Sequence, residues 1–130
     1  MSTIATLPRT QTIEPRRWNA FFAEFTTENR GAHAEIELLG GEVGHGIETE
    51  DRPFSGIAAD VKDGARNVWI TFASAPENHM THGIQNVTAV RYLPGDAERG
   101  PVIEIQADDG TKTLLELGLR ENYELPPGRK

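Results

Sequence analysis

One change of rhythm constrains this chain more than any other feature of it. In "IEPRRWNAFFAEFTTENRG" the large apolar residues Trp18, Phe21, Phe22 and Phe25 recur at i, i+3, i+4 and i+7, the spacing of one helical stripe. After Gly31 the period drops from 3.6 to 2: Ala34, Ile36 and Leu38 alternate with His33, Glu35 and Glu37, as in a strand with one wet face. A single helix therefore precedes a run of strands, and its apolar stripe is expected to dock on the sheet rather than to hold a ligand. Pro15 suits the first helical position, where its missing N–H costs nothing. Ile13 and Trp18 then have the spacing of a hydrophobic staple, and Gly31 can supply the left-handed residue that ends the helix.

Further period-2 segments follow in "EVGHGIETE", "FSGIAADV", "NVWITFA" and "NVTAVRYL", separated by turn signals such as Asp63-Gly64 and closed by Pro94-Gly95. The hairpin in "PVIEIQADDGTKTLLEL" admits two registers. A two-residue turn at Asp109-Gly110 sets Ile103 opposite Glu116 and places a charge on the core face. A three-residue loop, Asp108-Asp109-Gly110 with Gly110 left-handed, sets Ile103 opposite Leu115 and Gln106 opposite Lys112. The second is preferred because both faces then make chemical sense. It leaves Leu114 on the outer face, which is expected to be partly covered; Trp69 and Tyr92 are expected on the same second face. The fold class expected is α+β: one N-terminal amphipathic helix followed by about seven short strands in a curved, mainly antiparallel sheet or small barrel. Residues 1–12 read as a flexible lead-in, 13–119 as a single domain and 120–130 as a loose tail.

Composition narrows the function classes. The 20 acidic and 13 basic residues give a net charge of -7, which opposes a phosphate backbone, and the basic residues do not cluster. Nucleic acid is therefore not an expected partner. No apolar run has the length of a membrane span and the N-terminus lacks a basic start followed by an apolar stretch, so neither a membrane nor a secretory leader is expected. The chain has no cysteine, which removes disulfides, thiolate nucleophiles and zinc-thiolate sites and makes a reducing cytoplasm the expected compartment.

The order of the segments "RRWNAFFAEF", "IELLGGEVG", "PFSGIAADV", "HMTHGI" and "IEIQADDGTKTLLEL" resembles a family of small uncharacterised bacterial proteins catalogued only as a domain of unknown function. The resemblance runs from residue 13 to residue 117. It implies a bacterial, cytoplasmic, single-domain protein, and it brings no activity, cofactor or site residue with it.

Candidate chemistry rests on the histidines. In "NHMTHGI", His79 and His82 are three positions apart. On a helix they would share a face and could meet one ion; on a strand they point to opposite faces. Pro76, the asparagines and Gly83 argue for an extended path, with His82 inward or at a pocket rim and His79 at a loop mouth. A cupin-like reading uses His33, Glu37 and His82 as metal ligands, since "HGIQN" matches the end of that pattern's second motif. Against it, Glu35 stands where a second histidine belongs and the glutamate spacing is short. His45, among apolar neighbours at period 2, reads as a hydrogen-bonded structural residue that could serve as a general base. Asp60, Asp63, Asp108 and Asp109 adjoin turns and read first as turn formers. Ser55 and Ser74 lack a nucleophile elbow, and no glycine-rich phosphate loop precedes a helix.

The leading expectation is thus a non-catalytic binding or protein-interaction domain without a cofactor, with a homo-oligomer or another protein as partner. The alternatives are a cupin-like metal-dependent enzyme or metal-binding protein using His82 with other histidines, and an Sm-like small barrel.

Overall fold

The computed structural model describes residues 9–40, 44–75 and 78–118, without the side chains of 44, 45, 47–51, 74, 75 and 78. Its elements are β1 (Gln11–Ile13), a 3-10 turn (Pro15–Arg17), α1 (Trp18–Asn29), β2 (His33–Gly40), β3 (Gly44–Asp60), a second 3-10 turn (Lys62–Gly64), β4 (Asn67–Ala75), β5 (Asn78–Ile84), β6 (Val87–Leu93), β7 (Val102–Ala107) and β8 (Lys112–Leu117). Among the described residues no helix is long and apolar enough to cross a membrane.

The helix begins as its sequence predicts, with one modification. Glu14 is extended, and Pro15 opens a 3-10 turn closed by the Arg17 N–H to the Glu14 carbonyl before α-geometry sets in at Trp18. Ile13 and Trp18 are both buried, as the staple requires, and the Trp18 indole N–H donates to the Ile13 carbonyl at 2.9 Å. Phe22 and Phe25 complete the buried stripe, while Phe21 is half-buried and meets the Tyr92 ring edge-on at 5.0 Å. Gly31 ends the helix at φ +92°, and its N–H is passed directly to the Phe54 carbonyl of β3.

The eight strands form one curved, unclosed antiparallel sheet in the order β1-β6-β7-β8-β2-β3-β4-β5. It consists of two meanders: β2 to β5 pair in chain order, β6 to β8 do the same with β1 added outside β6, and the β8–β2 pairing joins them. β5 and β6 lie far apart in this order, yet only Gln85 and Asn86 separate them in the chain. Three peptide steps span at most about 11 Å, so the sheet has to roll toward a barrel.

The strand count differs from the expected one in three places. Gln11–Ile13 pair with β6, Asn78–Ile84 form a full strand beside β4, and "EVGHGIETE" and "FSGIAADV" belong to a single 17-residue strand, β3. β3 pairs with β2 up to Pro53 and with β4 from Phe54 onward, with register shifts on both sides of that change. Such bulges bend a strand without ending it, so the Asp51-Arg52-Pro53 stretch is a corner and not a turn. Thr26 of α1 locks this corner: its hydroxyl accepts the Ile57 N–H at 3.0 Å and donates to the Ile57 carbonyl at 3.3 Å. Gly56 lies directly beneath it: a Cβ there would lie 3.4 Å from the Thr26 methyl, in van der Waals contact.

Both meanders and the helix feed one core in which Ile36, Val68, Ile70, Phe54, Phe72, Ile103, Ile105 and Leu115 are almost wholly buried. The last hairpin adopts the three-residue register, with Ile103 opposite Leu115, Gln106 opposite Lys112 and Gly110 at φ +90°. Leu114 lies on the outer face and is only 2% exposed. Beside it Glu104, fully buried, takes a 2.6 Å ion pair from Arg91, which also donates to the Gln106 side chain. Tyr92 does not share that face: it turns inward to Phe21 and Phe25. Trp69 remains on the outside, 39% exposed.

Candidate functional site

The geometry of β5 separates the two histidines of "NHMTHGI". The strand is extended and closes one end of the sheet, and alternate residues face opposite sides. His82 stands opposite Ile70 and shares the inward face with Ile84; His79 stands opposite Ala73 on the outward face and is exposed. His33 begins β2 and is exposed, while Glu37 is outward-facing on the same strand, opposite Leu114. Four residues of strand put His33 and Glu37 about 13 Å apart along the chain, and His82 faces the other side of the sheet. His33, Glu37 and His82 therefore do not surround one point. The backbone of His45 pairs with Leu39, and its side chain lies outside the described residues. Among the described residues no group of three or more His, Asp or Glu is placed to hold a metal ion.

What His82 does line is a pocket of about 380 Å³ at one mouth of the rolled sheet, shared with Leu38, Ala107, Asp108, Asp109 and Thr113. Local sequence builds this mouth. Asp108, Asp109 and Gly110 make the hairpin loop, closed by the Ala107 N–H to the Thr111 carbonyl. The Asp108 N–H reaches the Asn86 carbonyl, which ties the hairpin to the link between β5 and β6. Asp109 accepts the Thr111 N–H at 2.9 Å, and that bond holds its carboxyl below the ordinary value. Thr113 sits deeper, opposite Leu38 on one side and Ile105 on the other. It is 2% exposed, and its hydroxyl has no hydrogen-bond partner among the described residues. A buried polar group left so is uncommon and calls for a physical reason.

A second chemical feature lies on the opposite face, where β8 meets β2. Glu116 stands opposite Glu35 and diagonally to Glu37, with whose carboxyl it shares a hydrogen bond. Burial, that hydrogen bond and the charges of Glu37 and Glu35 push the Glu116 carboxyl up from 4.5 to about 7, with Arg99 pulling the other way. Two carboxyls can share a hydrogen bond only while one of them keeps its proton, so the pair is a proton holder near neutrality. A smaller cavity, about 250 Å³, opens beside it between His33, Glu35 and Glu116.

Neither feature is named by a motif. Thr113 and Glu116 read in sequence as alternate positions of one strand, and only strand order gives them Leu38 and Glu37 as neighbours. The available signal was the density of glutamates at outward positions, Glu35, Glu37 and Glu116. No curated protein and no solved structure matches the chain. A family model described as a family of unknown function (DUF5335) matches residues 9–127, and the chain belongs to that family.

Proposed function

We propose that this is a non-catalytic binding domain whose ligand seat is the mouth pocket lined by His82 and Thr113. The observation that carries the reading is the Thr113 hydroxyl, which is buried, faces the pocket and is unpaired among the described residues. An unsatisfied buried hydroxyl costs on the order of 1–3 kcal/mol, and a bound polar group recovers much of that. The pocket is of ligand size, at the low end of the usual ~300–1,000 Å³, and the mouth of a rolled sheet is a common place for one. Among the described residues its polar groups are the His82 imidazole, the hydroxyls of Thr111 and Thr113, the side-chain amides of Gln85 and Asn86 and the turn carboxylates, a set suited to hydrogen bonding a ligand in place.

Amide NMR of the labelled protein against a fragment library tests the reading. Fragments that bind should shift the amides of Leu38, His82, Ala107 and Thr113 together, and Thr113→Val should weaken them. If no fragment perturbs these amides at millimolar concentration, the proposal fails.

A protein-partner reading has one observation in its favour. Among the described residues β5 ends the sheet, and it contains no charged residue and no proline, the usual guards of an edge; the exposed Trp69 stands beside it opposite Gly83. On this reading a second copy adds to β5, and light scattering gives twice the 14.3 kDa chain mass. A clean monomer at micromolar concentration would remove it.

A further inference from the structure

We infer that the mouth pocket selects a small organic cation: an ammonium group held at Asp108 and Asp109, with an apolar body reaching inward to Thr113. The inference rests on the pocket being a binding site and adds the chemistry of what it takes.

Three features of the mouth point the same way. First, its fixed charge is negative. Asp108 and Asp109 lie side by side on the rim, and the Thr111 N–H stabilises the ionised form of Asp109. Among the described residues no lysine or arginine lines the pocket, and the nearest lysine in sequence, Lys112, faces the other side of the hairpin opposite Gln106. An ammonium group here meets carboxylates in the field of a chain carrying a net charge of -7.

Second, the walls behind the rim are apolar. Leu38, Ile84 and Ala107 line the pocket together with the carboxylates and Thr113. A simple metal cation gains nothing from such walls, whereas an amine on a hydrocarbon body buries its stem against them. The absence of a metal-binding cluster among the described residues agrees with that division.

Third, the inner end offers a neutral hydroxyl rather than a fixed charge. The Thr113 hydroxyl can donate and accept, and His82 shares the inward face at this mouth. A ligand with an ammonium at one end and a neutral hydrogen-bonding group at the other satisfies both ends of the pocket.

Three probes of matched shape test this: 2-(4-hydroxyphenyl)ethylamine, 2-(4-hydroxyphenyl)ethanol and 3-(4-hydroxyphenyl)propionate, whose phenol end can pair with the Thr113 hydroxyl, each titrated into the labelled protein and followed by amide NMR. The amine should shift Leu38, His82, Ala107 and Thr113 saturably, at least tenfold more tightly than the alcohol, while the carboxylate should not bind. Asp108→Asn with Asp109→Asn should reduce amine binding at least tenfold and leave the alcohol unchanged; asparagine at 109 can still accept the Thr111 N–H, so the loop is kept. Thr113→Val should weaken amine and alcohol alike. Equal binding of amine and alcohol, or binding of the carboxylate, would overturn the cation inference and leave the pocket standing as a binding site. Silence from all three probes at millimolar concentration would overturn the inference and the binding reading together.

Discussion

Replacing Glu116 by glutamine should make the protein more stable above pH 7 and leave it unchanged at pH 4. In the folded chain the Glu116 carboxyl titrates near 7, against an ordinary value of 4.5. The folded state therefore holds this proton more tightly than the unfolded chain does. Its contribution to stability is fully present below pH 4.5 and is lost as pH rises toward 7, after which the curve is flat. Taken without screening, the shift corresponds to about 3.4 kcal/mol. Glu116 is only half-buried, and solvent screening brings the expected loss to about 1–2 kcal/mol. Glutamine keeps a hydrogen-bonding group beside Glu37 and cannot ionise, so the variant escapes the loss. Urea unfolding followed by tryptophan fluorescence measures the difference, because Trp18 is fully buried in the native chain. Asp96 and Asp109, both held below their ordinary values by backbone N–H groups, titrate below this window and cancel between the two proteins. The expected result is a stability difference near zero at pH 4 that grows to about 1–2 kcal/mol by pH 8. A difference that does not change with pH, or a variant less stable at pH 8, would refute the argument.

Two further substitutions probe the frame around the site. Glu104→Gln removes the fully buried partner of Arg91, and urea unfolding should register a loss of about 2–4 kcal/mol, somewhat below the usual figure for a buried pair because the Arg91 side chain keeps 23% exposure. Thr26→Val keeps the shape of the residue but takes the hydroxyl from the Ile57 N–H and carbonyl; the expected cost is about 1–2 kcal/mol, with faster amide exchange at Ile57 as the local sign.

How much of this was legible in the sequence depended on the range of the interactions involved. The staple of Ile13 and Trp18, the helical stripe, the left-handed Gly31 and the register of the last hairpin each depend on residues within a few positions of one another, and all were readable. The continuity of β3 was not. Its bulges arise because β2 and β4 pull on the two parts of one strand, and no residue near Pro53 signals that. Tyr92 alternates correctly within β6, but a bulge between Val87 and Ala89 and the helix packed above it decide which side is core. The candidate site was legible only in part. Extended β5 fixes the opposite directions of His79 and His82 from spacing alone. Thr113 and Glu116 take their meaning from β2, about eighty residues earlier in the chain, and a single sequence does not specify that pairing.

The β8–β2 pairing has a consequence for how the molecule comes together. Ala34 and Leu117 are partners across 83 residues, whereas each meander on either side pairs neighbours in the chain. The two meanders can form early from short-range contacts, but the sheet becomes one only when β8 slots in beside β2, the slow and entropically costly step of such a topology. On a ribosome β2 emerges long before its partner and waits with one edge unpaired. That edge carries Glu35 and Glu37 on one side, and like charges at an open edge discourage it from pairing with the wrong chain. The same carboxylates resist β8 when it arrives with Glu116, unless a proton arrives with it. Closing this seam is accordingly more favourable in mildly acidic solution than in alkaline solution, with β2 protected by its charge in the interval.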